Sequence, residues 1–317
     1  MKFPVFDLHC DTALALLDRK LQSVGSLREN TLHIDLTRAK DFPAYVQCFA
    51  CFTSDSETLP IGVEPEELFR REKQAILSQI EANSDVIAQV FTVEDIEKNR
   101  QAGKISAVLT IEGSAGIGFN PDALSDAYDA GFRITTLGWN ESNSLAGSHK
   151  TGEGLHEKGR EYVRKAQNLG MLVDVSHISD AAFWDIMEIT RGPVIASHSN
   201  SRSVWNVSRN LTDEMFQAIA KTGGVVGINL YADFLGNEPD LDTVCDHIQH
   251  FLSLDPSGKH IALGGDLDGC EELPKGFGGV QDYQKLAQRL LERGVKEDTV
   301  MDIFWNNAME LMKRTWK

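Results

Sequence analysis

The residues best suited to chemistry in this sequence stand at the ends of apolar runs. The segment Val5–Thr12, VFDLHCDT, follows a largely apolar stretch from Phe3 to Leu8 and then presents His9 and Asp11. Residues i and i+2 of a strand share a face, so an imidazole and a carboxylate point the same way. Neutral imidazole with carboxylate suits a borderline divalent ion such as zinc. Taken alone, His-x-Asp is a weak signal, and His33-Ile34-Asp35 repeats it in a polar segment with no apolar strand before it.

Four later runs strengthen the first pair. LTIEG ends in Glu112, VDVSH in His177, IASHS in His198, and LGGDLDG carries Asp266 and Asp268. If the strands line one barrel, three His and several carboxylates converge on one rim. That is more than a single divalent ion usually takes from protein. It fits two ions about 3.5–4 Å apart that share a bridging ligand, an arrangement for hydrolysis by bound water.

The elements that must position these groups alternate. Strand-length runs fall at Phe3–Leu8, Ala44–Phe52, Ile105–Ile111, Phe132–Leu137, Met171–Val175, Val194–Ser197, Val225–Leu230 and His260–Leu263. Amphipathic stretches lie between and after them, at Glu64–Glu81, Asp122–Ala130, Glu157–Leu169, Asp180–Ile189, Thr212–Lys221, Leu241–Leu252, Val280–Glu292 and Asp298–Lys313. Ser179 and Thr212 stand where N-caps belong, and Gly131, Gly170 and Gly223-Gly224 close helices. Eight strands alternating with helices predict an α/β fold, a (β/α)8 TIM barrel of the metal-dependent hydrolase type, with residues 1–317 as one catalytic domain. A doubly wound sheet is the alternative, but GSAGIG at Gly113–Gly118 lacks the spacing of a dinucleotide turn.

The 317 residues, 42% hydrophobic and 25% charged, have the balance of an ordinary globular protein. A net charge of −16 argues against nucleic acid and anionic membranes as partners. Cys10, Cys48, Cys51, Cys245 and Cys270 show no disulfide framework and are expected to be reduced. Cys48 and Cys51 fall in a buried strand, where i and i+3 face opposite sides. With no secretory leader pattern and no apolar run of about 18 residues, the expected location is cytoplasmic. Among the remaining histidines, His247 and His250 lie on a polar helix and are expected on a solvated face. His149 and His156 fall in a Gly-rich loop able to move over the site, and His260 sits at the far end of the barrel.

HxD after the first strand, IEG, VSH, SHS and GGDLDG, in this order and spacing, resemble the membrane (renal) dipeptidase family, zinc peptidases of the amidohydrolase superfamily. The likeness covers nearly the whole chain, including HIDLTR, SHSNSRSVWNVSRNLTD and GGVVGINLY. It implies a (β/α)8 barrel and two Zn2+ per chain, one on His9 and Asp11 and the other on His177 and His198, with Glu112 bridging. It also implies Asp266 as catalytic acid/base and Arg209 as the arginine that holds the substrate's terminal carboxylate. A metal-bridging hydroxide would attack the peptide carbonyl while Asp266 carries the proton to the leaving amine. An arginine clamp on a C-terminus favours dipeptides over long chains. One departure stands out: Trp139, followed by Asn140, occupies a position where several members have a His associated with substrate. Trp139, Asn140 and Tyr231 are accordingly candidate substrate contacts. The expected partners are a dipeptide and a second copy of the chain. Two other functions fit the same residues: a related amidohydrolase acting on N-acyl amino acids, lactams or lactones, and a non-catalytic metal binder with Trp139 plugging the pocket.

Overall fold

Each of the eight expected runs overlaps a strand in the computed structural model, which describes residues 2–17, 25–55 and 62–317. The strands are β1 (Val5–Cys10), β2 (Tyr45–Phe52), β3 (Ile87–Gln89), β4 (Ile105–Glu112), β5 (Phe132–Thr136), β6 (Leu172–Asp174), β7 (Val194–Ile195), β8 (Val226–Ile228) and β9 (Ile261–Leu263). They pair in the order β7-β6-β5-β4-β2-β1-β9-β8, all parallel, and a bridge from Ala196 to Val226 closes the ring. The extra strand β3 pairs with the first half of β4, where β5 takes the second half. Strands β1, β2 and β4 are buried along their whole length. That is the signature of a parallel sheet covered on both faces, and it explains why these runs are almost continuously apolar.

Two apolar layers result. Phe6, Leu8, Val46, Cys48, Val108, Ile134, Leu172, Ile195 and Ala262, drawn from all eight ring strands except β8, pack with Ala308, Met309, Leu311 and Met312 of the C-terminal helix Asn307–Thr315. The opposite strand faces pack with helices such as Pro65–Ala82 and Glu157–Leu169. Cys48 belongs to the first layer and Cys51 to the second, so they face apart as expected, and all five thiols are free and buried. Ser179 and Thr212 cap their helices through backbone N–H groups of Ala182 and Met215.

The period-two alternation also decides which residues reach the site. On β4, Val108 lies in the first layer, so Thr110 and Glu112 share its face. On β1 that alternation would leave His9 facing away from Leu8. The register runs Asp7 to Gln47 and then Cys10 to Phe49, three steps on β1 against two on β2. This bulge returns His9 to the inner side while Cys10 packs in the outer layer.

Three elements differ from expectation. The short β3 and helix Val93–Gln101 were not expected; the helix buries Ile96 alone, so its apolar signal is faint. The long C-terminal stretch is not one helix: Glu297–Met301, a π-helical turn Asp302–Asn306 and Asn307–Thr315 follow one another. Among the described residues no helix is long and apolar enough to cross a membrane.

Candidate metal centre and active site

Five candidate ligands meet at the carboxyl ends of β1, β4, β6 and β7, the face where such barrels keep their chemistry. His9 Nε2 lies 3.4 Å from Asp11 Oδ2 and 3.3 Å from Glu112 Oε2. The other oxygen of Glu112, Oε1, lies 3.0 Å from His177 Nε2 and 3.6 Å from His198 Nε2. One carboxylate therefore lies between His9 on one side and His177 on the other, while the His9 and His198 rings stack with centres 3.8 Å apart. All five side chains are buried.

Hydrogen bonds behind the rings set which nitrogen carries the proton. Ser197 Oγ donates to the Asp174 carboxylate and lies 2.6 Å from His198 Nδ1, so it accepts from that nitrogen. Asn140 Oδ1, a carbonyl, lies 3.0 Å from His177 Nδ1 and can only accept. Both rings thus keep an unprotonated Nε2. These two Nε2 atoms are 2.9 Å apart with no proton between them. His9 Nε2 and Asp11 Oδ1 are buried without a hydrogen-bond partner. Facing lone pairs, orphaned polar atoms and clustered carboxylates are together what a bound cation would satisfy. The residues fit divalent metal.

At His177 and His198 the electrostatics agree. Burial, helped by the Arg209 charge, pushes His177 well below the ordinary histidine range. Burial, with His9 and Arg209, does the same to His198. Neutral imidazoles are the form that binds metal. For His9, burial alone would lower the value, but Glu112 and Asp11 overcome it and raise the ring well above its usual range. Burial, reinforced by Glu112, raises Asp11 to about 6.

Asp266 follows β9 and clusters with His9 and Asp11, close enough to share an ion with them. Its Oδ1 is 3.8 Å from His9 Nε2, and its Oδ2 accepts from Asn229 Nδ2 at 3.0 Å. Burial pushes its carboxyl up to about 7, with His9 and Arg209 opposing and Asp11 and Glu112 adding to the rise. Its φ of 56° lies in the left-handed region, as do those of His177 (72°) and Asp268 (68°). Such backbone costs roughly 1–3 kcal/mol per residue and clusters at functional sites. Gly269 has the complementary need for space, since a Cβ there would lie 2.0 Å from Asp11 Oδ2.

A cavity of about 480 Å³ opens over the centre, lined by Asp11, Glu112, His177 and Asp266 below and by Phe52, Trp139, Tyr231 and Phe234 around it. That volume suits a small molecule. Trp139 packs edge-on against Phe52, ring centres 4.9 Å apart, and walls the cavity without filling it. Tyr231 packs similarly on Phe234 at 4.8 Å. Asn140 lines the cavity, but its carbonyl is taken by His177 and by His149, whose Nε2 is 2.8 Å away. Arg209 is buried at the side: Nη1 donates to Ser199 Oγ, Nη2 to the His198 carbonyl, and Nε has no partner. It borders a small void shared with His149 and His177, beside the large cavity.

Some supporting residues lie inside the quoted motifs without having drawn attention there. Asp174, Ser197 and Asn229 were not singled out. Asp268, at the end of β9 with Asp266, accepts from Thr12 Oγ1 and from the His33 backbone N–H, both at 2.6 Å. The second HxD pair therefore braces the GGDLDG loop, and its Asp35 caps helix Leu36–Ala39. His247 corrects an expectation. It is fully buried rather than solvated, with Nδ1 accepting from the Ser201 N–H and Nε2 donating to the Leu235 carbonyl. Its neighbour His250 is half-buried against Asp213.

Fold and site together define a metal-dependent hydrolase of the (β/α)8 barrel class. Residues 1–317 match the membrane dipeptidase family, peptidase family M19. An uncharacterised dipeptidase of Schizosaccharomyces pombe is 35% identical over 218 residues, 67% of this chain; the match spans about half (53%) of that relative. A second from the same organism is 30% identical over 336 residues, covering 98% of this chain and 80% of that one. Among solved structures, a metallopeptidase from Rhodobacter sphaeroides, crystallised with a phosphinate mimic of the dipeptide L-Ala-D-Ala, superposes with a TM-score of 0.90 at 25% identity over the full length of both chains. The chain belongs to the membrane dipeptidase family.

Proposed function

We propose that the chain is a zinc-dependent dipeptidase holding two zinc ions, one on His9 and Asp11 and the other on His177 and His198, with Glu112 shared. The observation that carries the reading is the split of Glu112, whose two oxygens face His9 and His177 at 3.3 and 3.0 Å. Bound zinc supplies an acidified water and a Lewis acid for the scissile carbonyl.

The chain's own groups do the rest. Asp266 takes a proton from the nucleophile and returns it to the leaving amine, a role its place over the centre beside His9 allows. Asn229 holds that carboxyl through Oδ2, leaving Oδ1 turned toward His9. Arg209, which donates to Ser199 Oγ and the His198 carbonyl and borders the void beside the cavity, is the group assigned to the substrate carboxylate. Trp139 and Tyr231, each backed by a phenylalanine, bound the space for the two side chains. The neighbour that binds a mimic of L-Ala-D-Ala supports a dipeptide of this kind as substrate.

A panel of L,L- and L,D-dipeptides, N-acyl amino acids, lactams and lactones, offered to zinc-loaded protein, tests the reading. Release of free amino acids from dipeptides, abolished by a chelator and restored by zinc, is expected. Turnover confined to the acylated or cyclic compounds would overturn it.

A further inference from the structure

Both ring nitrogens of His149 are occupied, although its ring helps to line the cavity. Nε2 lies 2.8 Å from Asn140 Oδ1, and Nδ1 lies 2.9 Å from Ser208 Oγ. The Asn140 oxygen is also the partner of His177 Nδ1 at 3.0 Å. An amide oxygen only accepts, so His149 and His177 both donate to it, and Ser208 must donate to His149. His149 therefore has no N–H left for a substrate. Its connections run instead to a metal ligand.

The two inner ligands of this half of the site are supported unequally. His198 leans on Ser197 and, through it, on the Asp174 carboxylate, which can only accept. His177 leans on a neutral amide, whose two ends are nearly the same shape. Turned over, that amide would offer N–H to His177 Nδ1. The ring would then carry its proton on Nε2, donate it to Glu112 and be unable to bind metal. Something must hold the oxygen inward.

We propose that Asn140 and His149 are positioning residues for the ion on the His177 side: the Asn140 oxygen fixes the His177 tautomer, and His149, by donating its Nε2 N–H to the same oxygen, favours that orientation of the Asn140 amide. This rests on the two-zinc reading above. Outer partners of ligating histidines are commonly worth about 10–100-fold in metal affinity.

Competitive zinc titration of the full chain, followed with a fluorescent chelator and with thermal unfolding as a check on folding, tests it. Asn140→Leu should weaken one of two sites by roughly 10–100-fold and leave the other unchanged. Asn140→Asp, whose oxygens accept in either orientation, should hold both ions at least nearly as well as the parent. His149→Phe keeps a ring in the wall but removes the donor, and should weaken the same site as Asn140→Leu. It carries the test alone if Asn140→Leu does not fold. Equal losses in the Leu and Asp variants, or two unchanged sites in Asn140→Leu or His149→Phe, would overturn the proposal. An unmodified chain that takes up a single zinc would instead overturn the two-ion reading, and the proposal with it.

Discussion

His177 and His198 face each other nitrogen to nitrogen, their Nε2 atoms 2.9 Å apart. Each ring donates its other nitrogen into the protein, so both lone pairs enter the same gap beside Glu112 Oε1. Burial holds both rings well below the usual histidine range, which disfavours a proton in that gap. A metal ion would satisfy both lone pairs at once.

Removing metal should therefore cost stability. A ligand that binds only the folded state stabilises it by mass action, by about 4 kcal/mol at 1,000 times its Kd. Thermal unfolding of chelator-treated protein should begin several degrees lower than that of zinc-loaded protein and recover on adding zinc. Coincident curves would show that the gap is stable empty.

Asp266 is expected to act on protons and not to bind zinc. Asp266→Asn keeps an acceptor for Asn229 and a similar shape, so both ions should remain while kcat falls by at least ~10²-fold. Loss of zinc on this substitution would make Asp266 a ligand.

Arg209 tests how the substrate is held. Arg209→Met should lower kcat/KM severely for a free dipeptide, since a partly desolvated charge pair loses roughly 2–5 kcal/mol when one partner is truncated. The same dipeptide with an amidated C-terminus should lose far less. Equal losses would assign Arg209 to the support of Ser199 and the His198 carbonyl, which it already contacts.

The site was legible in the sequence where a ligand ends a strand or follows within three residues of its end, as in IEG, VSH and SHS. It was less legible where the contact partner is distant in sequence. Nothing near Asp174 announces that it steadies His198 through Ser197, or near His33 that its backbone holds Asp268, 235 residues away. The bulge that brings His9 inward is a property of the pairing of β1 with β2, so no reading of β1 alone reveals it. His247 misled for a related reason. Its helix, Leu241–Leu254, is polar on one face, but this residue lies on the other with Val244, Ile248 and Phe251. The eight ring strands were plain because parallel strands covered on both faces read as near-continuous apolar runs.

Glu72 offers a prediction that the motifs did not suggest. It is fully buried on helix Pro65–Ala82; one oxygen accepts from the Phe52 N–H and the other has no partner. Burial, with Asp11 and Glu112 adding to it, holds the carboxyl well above its usual range. An unfolded Glu ionises near pH ~4.3. The folded form thus binds the proton more tightly, so ionisation penalises folding progressively as pH rises above that value and not at all below it. Glu72→Gln keeps the acceptor and removes the charge. In metal-free protein its Tm should exceed the parent's at pH 8, by a margin that shrinks toward pH 5. A margin independent of pH would show that Glu72 is not carrying this penalty.

The shared carboxylate is the centre of the account, and zinc content tests it most directly. Protein purified without chelator, loaded with excess zinc and freed of unbound metal should contain two equivalents per chain by elemental analysis. Glu112→Ala should retain no more than one and hydrolyse no dipeptide. A stable plateau at one equivalent in the parent chain, unchanged in Glu112→Ala, would contradict the bridged two-zinc site.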